Sequence, residues 1–290
     1  MHKHVSHNLK MNKGQISNIL RKIGLLYPLD KLRYRLMQNH NLKGNRKFKV
    51  ENSNIALPPD YLMYESFQMN YQKYYFGGRE TAEWIFSQIE NHINLKGKKI
   101  LDWGCGPGRI IRHMPEISKN QSDFYGTDYN EKSIEWCRNN IKNIKFNLNN
   151  LEAKLPYEDN YFDAIYGISI FTHLSKEMHF KWFNELKRIL KPDGIILITT
   201  HGENFKSKLS IKENKKFDKG ELVVRGNVKE GHRIYCTFHP DQFLKSLFKE
   251  VEILDKIIIS KKNKSYIPQD RWILKKKWLT PHKIYASFKE

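Results

Sequence analysis

ILDWGCGPGRII, residues 100–111, sets the architecture expected of the whole chain. A short apolar run leads into Asp102, glycines occupy positions 104, 106 and 108, and a second apolar run follows. Glycine tolerates positive φ and lets backbone approach a ligand with no Cβ in the way. The segment therefore reads as a strand, a tight turn and the start of a helix whose first N–H groups lack partners within the helix. Such a turn suits an adenosine-containing ligand laid across strand ends.

The flanks continue the same rhythm. KKILDW, DFYGTD, IKFNL, FDAIYGIS and GIILITT read as strands, alternating with the helical patterns RIIRHMPEI, KSIEWCRNNI and MHFKWFNELKRIL. This alternation predicts an α/β fold, a doubly wound, Rossmann-like, mostly parallel sheet of seven strands with helices on both faces. Past residue 200, KGELVVRGNVKEGHRIYCTF reads as two strands joined by a turn, HPDQFLKSLF as a short helix, and VEILDKIII and DRWILKKK as the last two strands. Residues 203–239 thus form an insertion between the fifth strand and its following helix, the natural place for acceptor selection because variable loops ring that rim.

Upstream, a helix over ETAEWIFSQIENHI follows an aromatic stretch that ends at Gly77 and Gly78. Tyr71, Tyr74 and Tyr75 form either a lid over the ligand, with Tyr75 and Gly78 as its candidates, or an aromatic cluster packed on the sheet. The first 50 residues hold a helix with Ile16, Ile19, Leu20 and Ile23 at helical spacing, ended near Pro28, and a shorter one capped by Asp30 that uses Leu32 and Leu36. Docking of these stripes on the core is the simpler reading. The alternative is a helix lying on an anionic membrane or holding a partner.

The formal charge of +20 is unevenly placed. Residues 1–50 carry 12 Lys/Arg against one acid, residues 51–200 carry 18 against 19, and residues 201–290 carry 21 against 11. The neutral middle is not built for a polyanion, so nucleic acid is the lesser candidate partner. No apolar run reaches membrane-spanning length and the basic start lacks a signal-peptide pattern, which points to a cytoplasmic protein, perhipheral membrane contact through residues 1–50 being the alternative. Cys105, Cys137 and Cys236 fit neither a disulfide framework nor a CxxC metal site, and no metal is expected.

Spacing narrows the ligand. The pattern is D-x-G-x-G-x-G, with Arg109 where a dinucleotide fingerprint places its last glycine. That shifts the expectation from a pyrophosphate ligand to S-adenosylmethionine, which carries a sulfonium and an amino-acid end but no phosphate. Asp128 closes the second strand twenty residues after Gly108, where a carboxylate accepts ribose hydroxyl protons.

With LPPDYL at 57, ILDWGCGPGR at 100, LPYEDNYFDAIYGISIFTHL at 155, LKPDGIILITTHG at 190 and PQDRWILKK at 268, the chain resembles the class I S-adenosylmethionine-dependent methyltransferases over residues 57–277. Residues 1–56 are then a basic helical extension and 278–290 a tail. The resemblance implies that Asp102 and the turn Gly104, Cys105, Gly106 and Gly108, with Arg109, cradle the methionine part of the cofactor. It implies further that Asp128 holds the ribose, that Tyr129, Asn150 and Leu151 line the adenine, and that Gly167 and Ile168 close the pocket. Many relatives carry an acid where this chain reads NNLEA (149–153), but an Asn carbonyl still accepts from the adenine amino group.

A general base is needed only if the acceptor must lose a proton, since in-line transfer can rest on positioning in a dry pocket. His173 in SIFTHL and His201 in TTHG follow the fourth and fifth strands and are the catalytic candidates. His113, His179 and His239 read as helix or core residues. The expected activity is methyl transfer to an oxygen or nitrogen of a small-molecule or glycan-type acceptor. The alternatives are an RNA methyltransferase that uses the basic flanks, and a membrane-associated cofactor-binding subunit without catalysis.

Overall fold

The apolar run before the glycines is the central strand of the sheet in the computed structural model, which describes residues 13–260 and 266–277. That strand, β1 (Lys99–Trp103), pairs in parallel with β2 (Asp123–Asp128) on one side and β4 (Phe162–Gly167) on the other. Beyond β2 lies β3 (Ile144–Leu148), and beyond β4 come β5 (Leu190–Thr200), β9 (Asp270–Lys276) and β8 (Val251–Ile257). Only β9 runs against its neighbours, so the seven strands are mostly parallel, as expected. The chain reverses direction across the sheet between β1 and β4, and in open α/β sheets ligands bind at that switch, outside the carboxyl ends of the strands.

Alternation along β1 sends Leu101 and Trp103 to one face and Ile100 to the other. The first face packs on α7 (Lys176–Ile189) through Trp182, Phe183 and Leu186, and on α9 (Asp241–Leu247) through Leu244 and Leu247. The second packs on α4 (Tyr71–Glu90) through Ala82, Ile85 and Ile89, and on α6 (Glu131–Asn140) through Ile134 and Cys137. Helices therefore cover both faces.

Local structure departs from the sequence expectation in three places. The pattern RIIRHMPEI breaks into a 3₁₀ turn, Ile111–His113, and a single turn of helix, α5 (Met114–Ile117), with Pro115 at its start. A proline lacks the N–H that a continuous helix would need there. The helix expected at 80–93 begins earlier: α4 starts at Tyr71, capped by the Asn70 side chain, and runs through Gly77 and Gly78. Two helices were expected around Pro28, ending before it and starting after it. Instead α1 (Lys13–Lys22) stops short, and α2 (Leu26–Glu51) passes through Pro28 and Asp30. Pro28 falls in the first turn, where no intrahelical donor is lost.

The insertion follows β5 as a 3₁₀ segment, Glu203–Lys208, then α8 (Ile211–Asp218) and a hairpin of β6 (Val223–Arg225) with β7 (Cys236–Phe238). Leu209, Phe217, Val223 and Phe238 give it a small core of its own. α1 docks on this insertion through polar groups. Arg21 donates to the carbonyls of Gly226 at 3.0 Å and Ile234 at 2.9 Å, and Asn18 donates to Glu213 at 2.9 Å. Residues 1–12 of the expected extension and the tail 278–290 lie outside the described residues. No described helix is long and apolar enough to cross a membrane.

Candidate active site

Asp128 ends β2 and Asp102 stands one residue before the end of the neighbouring parallel strand β1, so their carboxylates flank the glycine turn. Gly104, Gly106 and Gly108 have φ of +79°, +52° and +73°. At Gly104 a Cβ would fall 2.1 Å from Cδ1 of Ile170, and at Gly108 it would fall 2.4 Å from Cδ1 of Ile141. The turn is thus stripped of side chains from two directions, by the loop after β4 and by α6. Gly78 has the same reason to lack a side chain, since its Cβ would lie 2.4 Å from the Arg109 carbonyl oxygen.

The loop's backbone donors are largely engaged. Gly104 and Cys105 N–H groups donate to the Thr127 carbonyl at 2.8 and 3.0 Å, and Gly106 N–H donates to Oδ2 of Asp128 at 2.9 Å. Oδ1 of Asp128 accepts from Asn130 N–H at 2.8 Å, leaving each oxygen room for a further donor. Burial raises the pKa of Asp128, opposed by the backbone donors of Asn130 and Gly106. Burial pushes Asp102 up to about 8, with the Tyr166 hydroxyl opposing and the Asp128 charge adding to the shift. Two buried carboxylates beside a glycine-rich turn fit a ligand that brings both hydroxyls and positive charge, as S-adenosylmethionine does.

They line a cleft of about 260 Å³. Its floor is Asp102, Gly104, Cys105, Gly106, Arg109, Asp128 and Tyr129; Ile168, Ser169, Ile170 and His173 form one wall. A side cavity of about 60 Å³ shares Gly104, Asp128, Tyr129 and His173 and extends to Asn150 and Leu151. The residues expected to grip ribose and adenine are thus brought together. Gly108 and Gly167 do not line the cleft. Gly108 packs on α6, and Gly167 lies against Trp103, 2.7 Å from where its Cβ would be.

His173 lines both spaces. Its Nδ1 lies 2.8 Å from the Tyr235 carbonyl, which can only accept, so Nδ1 carries the proton and Nε2 keeps its lone pair. Burial lowers its pKa. Four bonds from the insertion hold this turn: Gly231 N–H to the His173 carbonyl at 2.9 Å, the Tyr235 contact, Thr237 to the Leu174 carbonyl at 2.7 Å, and Glu230 on Ser175 N–H at 2.5 Å.

His201 is not at the cleft. It stacks on Phe205 with ring centroids 3.9 Å apart and puts Nδ1 3.1 Å from the Thr237 carbonyl, and burial pulls its pKa to about 3. His113, His179 and His239 are buried core residues, and Nε2 of His179 meets Nε2 of His239 at 2.9 Å. Tyr74 and Tyr75 are not a lid. Tyr74 is fully buried and donates to the Pro107 carbonyl at 3.2 Å, bracing the turn from behind, and Tyr75 packs edge-on against His113.

The cover comes from elsewhere. Leu62, Glu65 and Ser66 on α3 (Asp60–Ser66), with Phe67 after it, close one side, and Gly231 and Arg233 close the other. Phe67 lies over the Arg109 guanidinium at 4.2 Å. Arg233 pairs with Asp30 of α2 at 2.5 Å, and His232 faces Glu65 at 3.4 Å. LPPDYL reads in the sequence only as a motif; the structure adds that its last residues open α3, and nothing in its letters assigns Glu65 to the cleft. The late Gln269–Asp270 pair has a supporting part: Oε1 of Gln269 accepts from Ser169 at 2.9 Å and Thr199 at 2.5 Å. Ser169 sits at a φ of +66°, so these bonds hold a strained wall residue in place. Among the described residues no cluster of metal-ligating side chains occurs.

A family model described as a methyltransferase domain matches residues 94–269, which span every strand from β1 to β5 and the cleft floor. The chain belongs to the methyltransferase-domain family. The enzyme class that the motifs implied is thereby shown for this domain. It is 27% identical over 128 residues to the ubiquinone biosynthesis O-methyltransferase of Neisseria meningitidis, covering 42% of this chain and 52% of that protein. Over 168 residues it is 28% identical to the tRNA N(3)-methylcytidine methyltransferase of Schizosaccharomyces pombe, 53% of each. The chain spans about half the length of these curated relatives.

Solved structures share the fold. An S-adenosylmethionine-dependent methyltransferase of Methanosarcina mazei superposes with a TM-score of 0.52 at 20% identity, over 66% of this chain and 98% of that one. The 1,6-didemethyltoxoflavin-N1-methyltransferase of Burkholderia thailandensis, solved with its substrate and S-adenosylhomocysteine, gives 0.50 at 13% identity, over 71% and 85%.

Proposed function

We propose that the chain moves a methyl group from S-adenosylmethionine to an oxygen or nitrogen of a small organic acceptor, a sugar hydroxyl included, with His173 taking the acceptor's proton. The observation that carries this reading is the tautomer of His173, whose Nδ1 is tied to the Tyr235 carbonyl so that Nε2 is the unprotonated nitrogen of a residue lining the same cleft as the glycine turn. The bound cofactor supplies a methyl group activated by a sulfonium. Asp102 and the backbone of Gly104 to Gly106 hold its amino-acid end, Asp128 its ribose, and Tyr129, Asn150 and Leu151 its adenine. Glu65, Phe67 and Arg233 exclude water and orient the acceptor, which raises the weight of positioning in the transfer.

The test is incubation of a metabolite extract with enzyme and methyl-labelled cofactor, followed by identification of the product that gains the label. His173→Ala should lower kcat about 100-fold while leaving S-adenosylhomocysteine affinity within about twofold. Unchanged turnover would remove His173 from the mechanism.

RNA is the second reading, favoured by exposed Lys43, Arg46, Lys47 and Lys49 along the last turns of α2 and by the tRNA-modifying relative. Phosphate contacts would make affinity fall steeply with salt. Filter binding of total tRNA at low and moderate salt separates the two, because absence of binding at low salt ends the RNA reading.

A further inference from the structure

α1 and α2 are inside out. At about 100° per residue, Asn18 and Arg21 fall on one side of α1, and it is this polar side that docks on the insertion. Ile16, Ile19 and Ile23 fall on the opposite side, 44%, 47% and 58% exposed. α2 repeats the inversion. Asp30, Gln38, Asn41 and Asn45 face inward, bonded to Arg233, Tyr64, Asp60, Asn70 and Met69. Diametrically across the helix run Leu25 from the preceding turn, Leu29, Leu32 and Leu36, 44%, 42%, 53% and 60% exposed. The stripes expected to dock on the core therefore face away from it.

Seven large aliphatic side chains in two rows exceed what scattered surface apolars explain, and such rows mark a contact. The charge around them says with what. Helical geometry puts Arg33 on one flank of the leucine row and Arg35 on the other, both exposed, with exposed Lys22 and Lys31 nearby. The single acid between residues 13 and 50, Asp30, is turned inward and paired with Arg233.

We infer that the outer face of α1 and α2 docks on an anionic lipid surface. The aliphatic rows enter the boundary between headgroups and acyl chains, and Arg33 and Arg35 reach back along their stems to anionic headgroups. A second copy of the chain packed face to face would oppose these arginines to their own kind, and a nucleic acid would leave the leucines and isoleucines uncovered. Because Asp30 and Tyr27 contact Arg233 and Lys229 from the other side of the helix, docking leaves the mouth of the cleft uncovered.

The test is cosedimentation of the full chain with vesicles of phosphatidylglycerol and phosphatidylcholine in equal parts, and with phosphatidylcholine alone. Binding is expected only to the anionic vesicles and should weaken as salt is added. The triple variant Leu29→Gln, Leu32→Gln, Leu36→Gln should lose about tenfold or more of that affinity with little change in melting temperature, since these side chains belong to no core cluster and are 42%, 53% and 60% exposed. Arg33→Gln with Arg35→Gln, which leaves the aliphatic row intact, should lose several-fold. No pelleting with anionic vesicles at low salt, or equal pelleting by both variants, overturns the inference. So does a dimer in sedimentation velocity that the leucine variant dissolves while vesicle binding is absent.

Discussion

Adding one carbon to Gly104 places it against Ile170 at a positive φ, and the same change at Gly108 meets Ile141 and Cys137. Gly104→Ala and Gly108→Ala should therefore both abolish S-adenosylhomocysteine binding in calorimetry, whereas Gly77→Ala, with open space at its Cβ, should leave it unchanged. Asp102 offers a pH-dependent test. Its folded pKa of about 8 lies above the unfolded value, so the fold holds the proton more tightly and loses stability as pH rises from about 4 to about 8. Asp102→Asn removes that loss: relative to wild type, its melting temperature should gain between about pH 5 and pH 8, while its ligand affinity falls. A constant difference would mean that Asp102 ionises in the folded protein at its ordinary pH. At this scale the sequence was informative because glycine spacing and strand-end acids are local signals, readable from a dozen letters. Glu65 and Arg233 were not readable, because they reach the cleft through contacts between segments far apart in the chain.

Strands β1 to β5, β8 and β9 were legible, since each is a short β-branched or aromatic run bounded by turn residues. The N-terminal helices were misread for a physical reason: an apolar stripe at helical spacing normally buries, and here the polar side does. The consequence lies in the insertion. Arg225 pairs with Glu213 at 2.8 Å, both side chains largely buried, and Asn18 of α1 bonds the same carboxylate. Arg225→Ala would leave Glu213 buried without its partner and should cost about 3 kcal/mol in denaturant unfolding. Arg21→Ala should act more narrowly. By releasing the Gly226 and Ile234 carbonyls it loosens the loop that carries Tyr235, so under the role proposed for His173 the pH profile of kcat should shift while S-adenosylhomocysteine affinity holds.

Across the whole molecule, burial sets the titration of the core histidines His113, His179 and His201. It lowers His113 and His179 to about 4 and His201 to about 3. Each folded value lies below the unfolded one, so the stability they contribute is present above about pH 6.5 and is lost as pH falls toward 4. In NMR their ring resonances should stay flat between about pH 8 and pH 5, where an exposed imidazole titrates. That neutral interior surrounds a sheet whose switch point holds the glycine turn, and the central claim is that this turn with Asp128 binds an adenosyl cofactor. Isothermal titration of the full chain with S-adenosylhomocysteine tests it most directly. Saturable one-site binding, weakened about tenfold or more by Asp128→Ala, is the predicted result; no heat of binding, or equal binding by the variant, would contradict it.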